Sequence, residues 1–571
     1  MQQDDTTAAD FGQGLARFLQ AFLAGLPGAR ELPLEELARA LAVQPERVAQ
    51  LQERFAQAHA RLWADARAAA PRVPRAGHAD RRFESADWDE VPFFRLVRDT
   101  YLLNAQWLEE LIALADLPVE QARRLRFVAR QALDALAPTN FPWTNPEALR
   151  LAARTGGASV EDGLRNLTAD LAQGHISRSA NGAFAVGRNL AITPGAVVHE
   201  TPIAQLIQYR PRTPLVRARP LLIVPPFINR YYILDLQPED SFVRFALDQG
   251  LQVFLVSWRN PGMAQARCGW DDYVRQGVLE MLDAVLDICA SPRLNVLGFC
   301  VGGTLLATAL AVMQRPARVA SLTLLASLLD FAEPGEIGVY VDRDYVERCE
   351  RAFARGGLVP GAQIAAAFAS LRSNELVWHF VVNNYLKGRT PPAFDLLAWN
   401  ADSANLPGPL YAWYLRNLYL ENRLREPGRA RVLGKGVDLR RLRMPAYVMA
   451  AREDHIVPWT SAYASSRLLA GRIDFVLGAS GHVAGVVNPP AHGRRHYWAG
   501  GSAMGDAQAW LSEAVRHEGS WWSHWAKWIQ ARSGRSAAAP LALGNARHGI
   551  VEPAPGRYVR EPCAPAETIK P

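Results

Sequence analysis

At 571 residues the chain is too long for one ordinary hydrophobic core, so more than one structural unit is expected. Apolar residues make up 49% and charged residues 21%, a globular composition, and no stretch approaches the roughly 18 consecutive apolar residues of a membrane span. The net charge of +7 comes from scattered arginines with no basic run, no Cys/His finger and no RNA-binding aromatic signature, which argues against nucleic acid.

The chain opens Met-Gln-Gln-Asp-Asp, acidic and followed by no long apolar run, so a secretory signal is not expected. Phe11, Leu15, Phe18, Leu19, Phe22 and Leu23 recur at helical spacing until Pro27, which predicts an amphipathic helix. An Ala/Arg/Leu-rich helical stretch then reaches about Ala70, a linker covers Pro71 to Arg82, and helices resume over Val91 to Leu114 and Val119 to Leu136. The segment from Ala137 to Pro146 holds three prolines and reads as an ordered surface connection. Residues 1–182 are thus expected to form a mostly helical domain.

From about Ala183 short apolar runs alternate with helical stretches. Gln205 to Tyr209, Leu221 to Val224, Val253 to Ser257, the run at Leu294 and Leu322 to Ala326 read as strands. A helix with Val274, Val278, Met281, Leu282 and Val285 on one face lies among them. This alternation predicts a mainly parallel sheet covered on both faces. It stops over 331–442, a segment rich in aromatics and amides that includes Trp378, Asn383, Asn384, Tyr385, Trp399, Trp413, Tyr414 and Tyr419. An insertion there is expected to cap the C-terminal edge of the sheet. The sheet returns at Ala446 to Met449 and Phe475 to Leu477, so 183–330 with 443–571 forms the catalytic core. Tryptophans in Ser520-Trp-Trp-Ser-His-Trp-Ala-Lys-Trp528 read as anchors of a final helix, followed by an irregular tail.

Three strand ends carry reactive side chains. Leu294-Asn-Val-Leu-Gly-Phe-Cys-Val-Gly-Gly-Thr304 has the form of a strand, a Gly-lined turn and a helix, with Cys300 where the G-x-S-x-G elbow carries serine. Ala451-Arg-Glu-Asp-His-Ile-Val-Pro-Trp459 and Gly478-Ala-Ser-Gly-His-Val-Ala-Gly485 follow two later strands. The order nucleophile, acid, histidine is that of the α/β-hydrolase fold. Asp454 is preferred to its neighbour Glu453 because the loop turns at Asp454-His455. His482 is preferred to His455 because Gly481 and Gly485 free its loop to project the imidazole, and His455 is left as a possible substrate contact. The oxyanion hole of this fold uses the amide after the nucleophile, here Val301, and one from the loop Val224-Pro-Pro-Phe-Ile-Asn-Arg230, from Phe227 or Ile228.

Cysteine in place of serine bears on the reaction. Attack of a thiolate on a thioester exchanges one thioester for another at little net energy, so the acyl group stays activated until a second nucleophile arrives. Acyl transfer from a thioester donor is therefore expected, under a cap that excludes water. The five cysteines are dispersed without a C-x-x-C pair, which points to a reducing compartment and away from a metal cage.

Several motifs resemble those of polyhydroxyalkanoate synthases. They are Gly298-Phe-Cys-Val-Gly-Gly303, the loop from Val224 continued to Leu236, Ser257-Trp-Arg-Asn-Pro261, Asn383-Asn-Tyr-Leu-Lys-Gly388, Phe394-Asp-Leu-Leu-Ala-Trp-Asn400, Arg452-Glu-Asp-His-Ile-Val-Pro-Trp459 and Ser480-Gly-His-Val-Ala-Gly-Val-Val-Asn-Pro-Pro490. The likeness runs from about Phe83 to Arg560 and is nearest to the single-subunit, short-chain class I enzymes. It implies that Cys300 is acylated by a (R)-3-hydroxyacyl-CoA, commonly 3-hydroxybutyryl-CoA, that CoA is released, and that a hydroxyl of a second unit or of the growing polyester chain then takes the acyl group. It also implies that His482 activates Cys300, while Asp454 either orients His482 or helps to deprotonate the 3-hydroxyl. CoA is then substrate and product, with no resident cofactor or metal. A cytoplasmic homodimer at the surface of polyester granules is implied as well, with granule-associated proteins as possible partners. Two departures, Arg230 where lysine is usual and Phe227 where a smaller residue is common, border the oxyanion loop and bear on substrate fit. A thioesterase or polyester hydrolase on the same fold, and a non-catalytic granule scaffold, are the alternative readings.

Overall fold

The structure, a computed structural model, describes residues 34–67, 80–173, 175–180, 182–501 and 505–563. The amphipathic helix expected from Phe11 to Leu23 and most of the linker expected at Pro71 to Arg82 lie outside these residues. Two compact units are formed, one running to Ala180 and taking in Ala369–Pro392, the other comprising Asn181–Phe368 and the chain from Ala393 onward. The expected cap, 331–442, is therefore divided between them.

The first unit is helical: α1 (Leu34–Ala42), α2 (Pro45–Arg67), α3 (Pro92–Leu114), α4 (Val119–Ala135), α5 (Pro146–Arg154) and α6 (Ala158–Gln173). Leu37, Leu41, Leu51, Leu111, Ile112 and Leu125 pack as one cluster because their helical spacing puts them on facing stripes. The proline-rich connection after α4 is not a surface loop. Pro138, Thr139 and Asn140 are buried, and Asn145 caps α5 by accepting the amide of Ala148 at 3.0 Å while its own Nδ2 donates to the Thr139 carbonyl at 2.6 Å. Residues 369–392 join this unit through two buried carboxylates. Asp134 accepts from Asn374 at 2.7 Å and from Ser373, and Asp170 accepts from Tyr385 at 2.6 Å. Asn384 donates to the Ser177 carbonyl at 2.8 Å, and a Cβ at Gly163 would run into the Tyr385 backbone, so helix and segment meet closely.

In the second unit, among the described residues, one eleven-stranded sheet contains β1 (Gly195–Glu200), β2 (Ala204–Tyr209), β3 (Leu221–Val224), β4 (Val253–Trp258), β5 (Leu294–Phe299), β6 (Val319–Leu325), β7 (Ala446–Ala451), β8 (Ile473–Gly478), β9 (His496–Ala499), β10 (Val515–Glu518) and β11 (Glu552–Pro553). Its order is β10-β9-β8-β7-β6-β5-β3-β4-β2-β1-β11. The run from β8 to β4 is parallel and both flanks are antiparallel. Every residue of β3, β4, β5 and β7 is buried, as strands covered on both faces must be. The tail is not irregular throughout: β11 pairs with β1, and Tyr558 and Val559 beyond it are buried.

The helix α7 (Val301–Val312) leaves β5 with every residue buried. The apolar helix expected before β5 is interrupted by a π-turn at Arg275–Leu279, where Gly277 lies so close to the Trp258 ring that a Cβ would clash. In the region expected as cap, α8 (Gly408–Tyr414) runs directly into a π-turn at Leu415–Leu420. At the end, α9 (Trp521–Gln530) buries Trp521, Trp522, Trp525 and Trp528, and the four indole N–H groups donate to the Gly485 carbonyl, the Val486 carbonyl, Thr323 and Asp474. These tryptophans anchor the helix on the sheet, as expected from their spacing.

Candidate active site

Because the central strands run parallel, their following loops gather at one edge of the sheet, and Cys300, Asp454 and His482 stand there after β5, β7 and β8. Glycine makes the first turn possible. A Cβ at Gly298 would meet the Gly303 backbone, and one at Gly302 would meet the carbonyls of Val224 and Pro225. With both side chains absent, β5, α7 and the loop after β3 pack at backbone contact. Cys300 sits on the turn at φ 53°, ψ −131°, a conformation that costs a residue with a Cβ on the order of 1–3 kcal/mol. Its amide donates to the Leu325 carbonyl at 2.9 Å, and its own carbonyl accepts from Gly303 at 2.9 Å, so the strained residue is held from both sides.

The carboxylate of Asp454 receives three N–H groups. Oδ1 accepts the amides of Ile456 and Val457, each at 2.8 Å, and Oδ2 accepts His482 Nδ1 at 2.7 Å. The two loops are also tied by the Glu453 amide, which donates to the Ser480 carbonyl at 2.9 Å. The His482 ring lies nearly parallel to Phe299, centroids 5.5 Å apart at 25°, and is buried. With Nδ1 committed to Asp454, Nε2 is the ring nitrogen left for a second partner. Burial works against a proton on His482, but the charge of Asp454 and the adjacent Cys300 sulfur outweigh it and hold the imidazole well above its ordinary range. The carboxylate thus fixes the imidazole by a hydrogen bond, and the Cys300 sulfur acts electrostatically on the same ring.

Val301 is the first residue of α7, so its N–H has no acceptor within the helix and belongs to the turn that presents Cys300. The loop after β3 lies alongside, since Val224 pairs with Gly298 and the Pro225 carbonyl is fixed by Trp258 Nε1 at 2.9 Å. Ile228 is half-buried, Asn229 turns through φ 66°, and His455 is half-buried directly after Asp454.

Residues 79–246 match the profile of the poly-beta-hydroxybutyrate polymerase (PhaC) N-terminus, and residues 219–489 match that of the alpha/beta hydrolase fold. The chain is 47% identical to the poly(3-hydroxyalkanoate) polymerase subunit PhaC of Cupriavidus necator over 549 residues, which is 95% of this chain and 92% of that one. The chain belongs to the poly(3-hydroxyalkanoate) polymerase family. The polymerase subunit PhaC of Rhizobium meliloti is 41% identical, covering 84% of this chain and 79% of its own, and the polymerase of Methylorubrum extorquens is 38% identical, covering 94% and 91%. This chain is accordingly a poly(3-hydroxyalkanoate) polymerase of the α/β-hydrolase fold. No helix among the described residues is long and apolar enough to cross a membrane.

Within this polymerase the two departures in the loop after β3 are both held by the protein itself. Phe227 turns into the core against Tyr273, Trp270 and Trp258, with centroids 5.3, 6.1 and 6.3 Å away. The buried Arg230 pairs with Asp402 at 3.2 Å and donates to the Glu561 carbonyl at 2.6 Å, which fastens the chain's end to the loop. Sequence reasoning did not single out several neighbours of the site. The amides of Ile456 and Val457 and the Phe299 ring under His482 emerge only from the fold. Of these, only Phe299 stands in the elbow motif itself, between Gly298 and Cys300.

Proposed function

We propose that Cys300 carries the acyl group as a covalent thioester during polymerisation of a short-chain (R)-3-hydroxyacyl-CoA, 3-hydroxybutyryl-CoA being the natural first substrate to test. His482 Nε2 takes the Sγ proton as Sγ attacks the thioester carbonyl. The new S–C bond forms, the bond to the CoA sulfur breaks, and the proton passes from His482 to the departing CoA thiolate. His482 next takes the proton of an incoming 3-hydroxyl. That oxygen forms the ester bond as Sγ leaves, and Sγ regains its proton from His482. The amides of Val301 and of Phe227 or Ile228 stabilise the oxyanion in both halves.

The observation that carries this reading is the position of His482 between Asp454 and Cys300. The threefold coordination of the Asp454 carboxylate supports a role in fixing the His482 tautomer rather than a separate role as base. CoA is then substrate and product and not a resident cofactor. Work as a homodimer at the surface of cytoplasmic polyester granules belongs to the same reading and rests on the resemblance of the motifs.

Mass spectrometry after brief exposure to 3-hydroxybutyryl-CoA tests it. A hydroxybutyryl adduct is expected on the peptide that holds Cys300, and none in Cys300→Ala. An adduct on another residue, or CoA release retained by Cys300→Ala, would reject Cys300 as nucleophile.

A further inference from the structure

In the sheet, β6 lies between β5, which leads to Cys300, and β7, which leads to Asp454, so the chain that follows β6 emerges between the two reactive loops. That chain is Ala326-Ser-Leu-Leu-Asp-Phe-Ala-Glu-Pro-Gly335, which forms neither helix nor strand. Ala326 to Phe331 are nevertheless buried. A buried irregular segment must find partners for its backbone groups outside any regular ladder, and here those partners stand on both sides.

On the nucleophile side, the Cys300 amide donates to the Leu325 carbonyl at 2.9 Å, at the end of β6. The buried Thr304 hydroxyl of α7 donates to the Leu328 carbonyl at 2.7 Å, and a Cβ at Gly303 would run into the Ser327 side chain. On the acid side, the Ala326 amide donates to the Met449 carbonyl of β7 at 2.7 Å. The helix Trp459–Ser466 closes the loop of Asp454. Its buried Ser465 hydroxyl accepts the amides of Leu329 and Asp330 at 2.8 and 2.9 Å, and its Ser461 hydroxyl donates to the Glu333 carbonyl at 2.6 Å. Gly335, at φ 80°, lies against the same loop: a Cβ there would stand 3.1 Å from the His455 carbonyl oxygen and 3.1 Å from Pro458. The amides of Ile456 and Val457, which fix the Asp454 carboxylate, fall between those two points of contact.

Cys300, Asp454 and His482 stand on three separate loops. Parallel strands bring such loops to one edge, but a proton passes between side chains only within about 2.6–3.2 Å, a closer tolerance than strand order sets. We propose that residues 326–335 brace the nucleophile against the acid, with Thr304 and Ser465 as positioning residues that set how far Cys300 stands from the Asp454–His482 pair. The assignment rests on Cys300 as the acyl acceptor and His482 as its base.

The test follows Cys300 acylation by (R)-3-hydroxybutyryl-CoA by intact mass, with enzyme in excess. Ser465→Ala and Thr304→Val should each slow it by about tenfold to a hundredfold, the scale on which a small misplacement acts. Ser321→Ala is the control for lost stability: this buried hydroxyl donates to Asn295 at 2.7 Å, at the end of β5 and β6 remote from the reactive edge, and its loss should leave the rate unchanged. Each variant is also made in Asp454→Asn. If Ser465 and Thr304 act by aligning Cys300 with the Asp454–His482 pair, their effects should vanish there, because an imidazole in the wrong tautomer cannot take the proton wherever the thiol stands. An unchanged rate in either variant, a loss that persists in full in Asp454→Asn, or an equal loss in Ser321→Ala would overturn the assignment. Thr304→Val strands no buried N–H group, so it decides the matter even where Ser465→Ala does not fold. Failure of the unsubstituted enzyme to become acylated at Cys300 would instead overturn Cys300 as acceptor, and the assignment with it.

Discussion

Replacing Asp454 with asparagine separates charge, geometry and tautomer in one residue. Three N–H donors converge on its carboxylate, two from the backbone on Oδ1 and one from His482 on Oδ2. An asparagine offers one oxygen and one NH2. With the oxygen on the backbone side, both amides stay satisfied and the NH2 meets Nδ1. Nδ1 must then accept, Nε2 carries the hydrogen, and the ring cannot take the Cys300 proton. With the amide flipped, the NH2 faces two backbone donors, each left unsatisfied at a cost of about 1–3 kcal/mol. The first arrangement therefore wins: the fold survives and the tautomer is wrong. Acylation in Asp454→Asn should fall by about 10³–10⁴-fold, the scale on which a misassigned tautomer acts in a nucleophile–histidine pair, while thermal stability changes little. Stopped-flow release of CoA in the first turnover, paired with a melting curve, measures both. Acylation within tenfold of the parent would refute the argument that Asp454 sets the imidazole, and a large loss of stability would show that the flipped amide is the one adopted.

The remaining predictions use other parts of the same unit. Gly302→Ala places a methyl against the carbonyls of Val224 and Pro225, so the loop after β3 must retreat from α7; acylation should fall by about 10²–10³-fold, as for a lost oxyanion donor, and an unaltered rate would remove that loop from the oxyanion site. Asp235 is buried, accepts from Thr193 at 2.5 Å and Ser241 at 2.6 Å through Oδ1 alone, and burial pushes its carboxyl up from 3.8 to about 6. The folded protein therefore binds the proton more tightly than the unfolded chain, and stability falls as pH rises from 3.8 to about 6, with the full loss present above that window. Asp235→Asn should stabilise the protein by up to ~3 kcal/mol at pH 7.5 and by little at pH 4; urea unfolding at the two pH values checks this, and a difference independent of pH would show that the ionised carboxylate is not the source.

How much of this was legible in the chain depends on how local the cause is. The central strands announce themselves because burial on both faces demands continuous apolar runs such as Leu221 to Val224. The flanks β9, His-Tyr-Trp-Ala, and β10, Val-Arg-His-Glu, are short, polar and partly or wholly exposed, so no such run marks them. The reactive edge is readable because each of Cys300, Asp454 and His482 directly follows a strand, with glycines where backbones touch. Division of 331–442 between two units is not readable, since it depends on Asp134 and Asp170, more than 200 residues from their partners Asn374 and Tyr385. The pairing of Tyr414 with Tyr419 escapes for a different reason. A helical reading assumes 3.6 residues per turn, and the π-turn that puts both on one face changes that period.

The position of His482 is also fixed from the far end of the chain. Its short helix, His482–Val486, has carbonyls at Gly485 and Val486 that a helix of this length cannot satisfy internally. Trp521 donates to the first at 2.9 Å and Trp522 to the second at 2.8 Å, and both rings are buried against Phe242. Beyond them, the Ser520 hydroxyl donates to the Asn488 carbonyl. On the opposite side Gly485 meets the Ala451 side chain so closely that it cannot bear a Cβ of its own. The imidazole is thus caught between the strand that leads to Asp454 and a helix that follows it in the chain by about 40 residues. The tryptophans near the chain's end therefore belong to the machinery that aims His482: their bulk builds the core, and their N–H groups decide where the loop after β8 comes to rest.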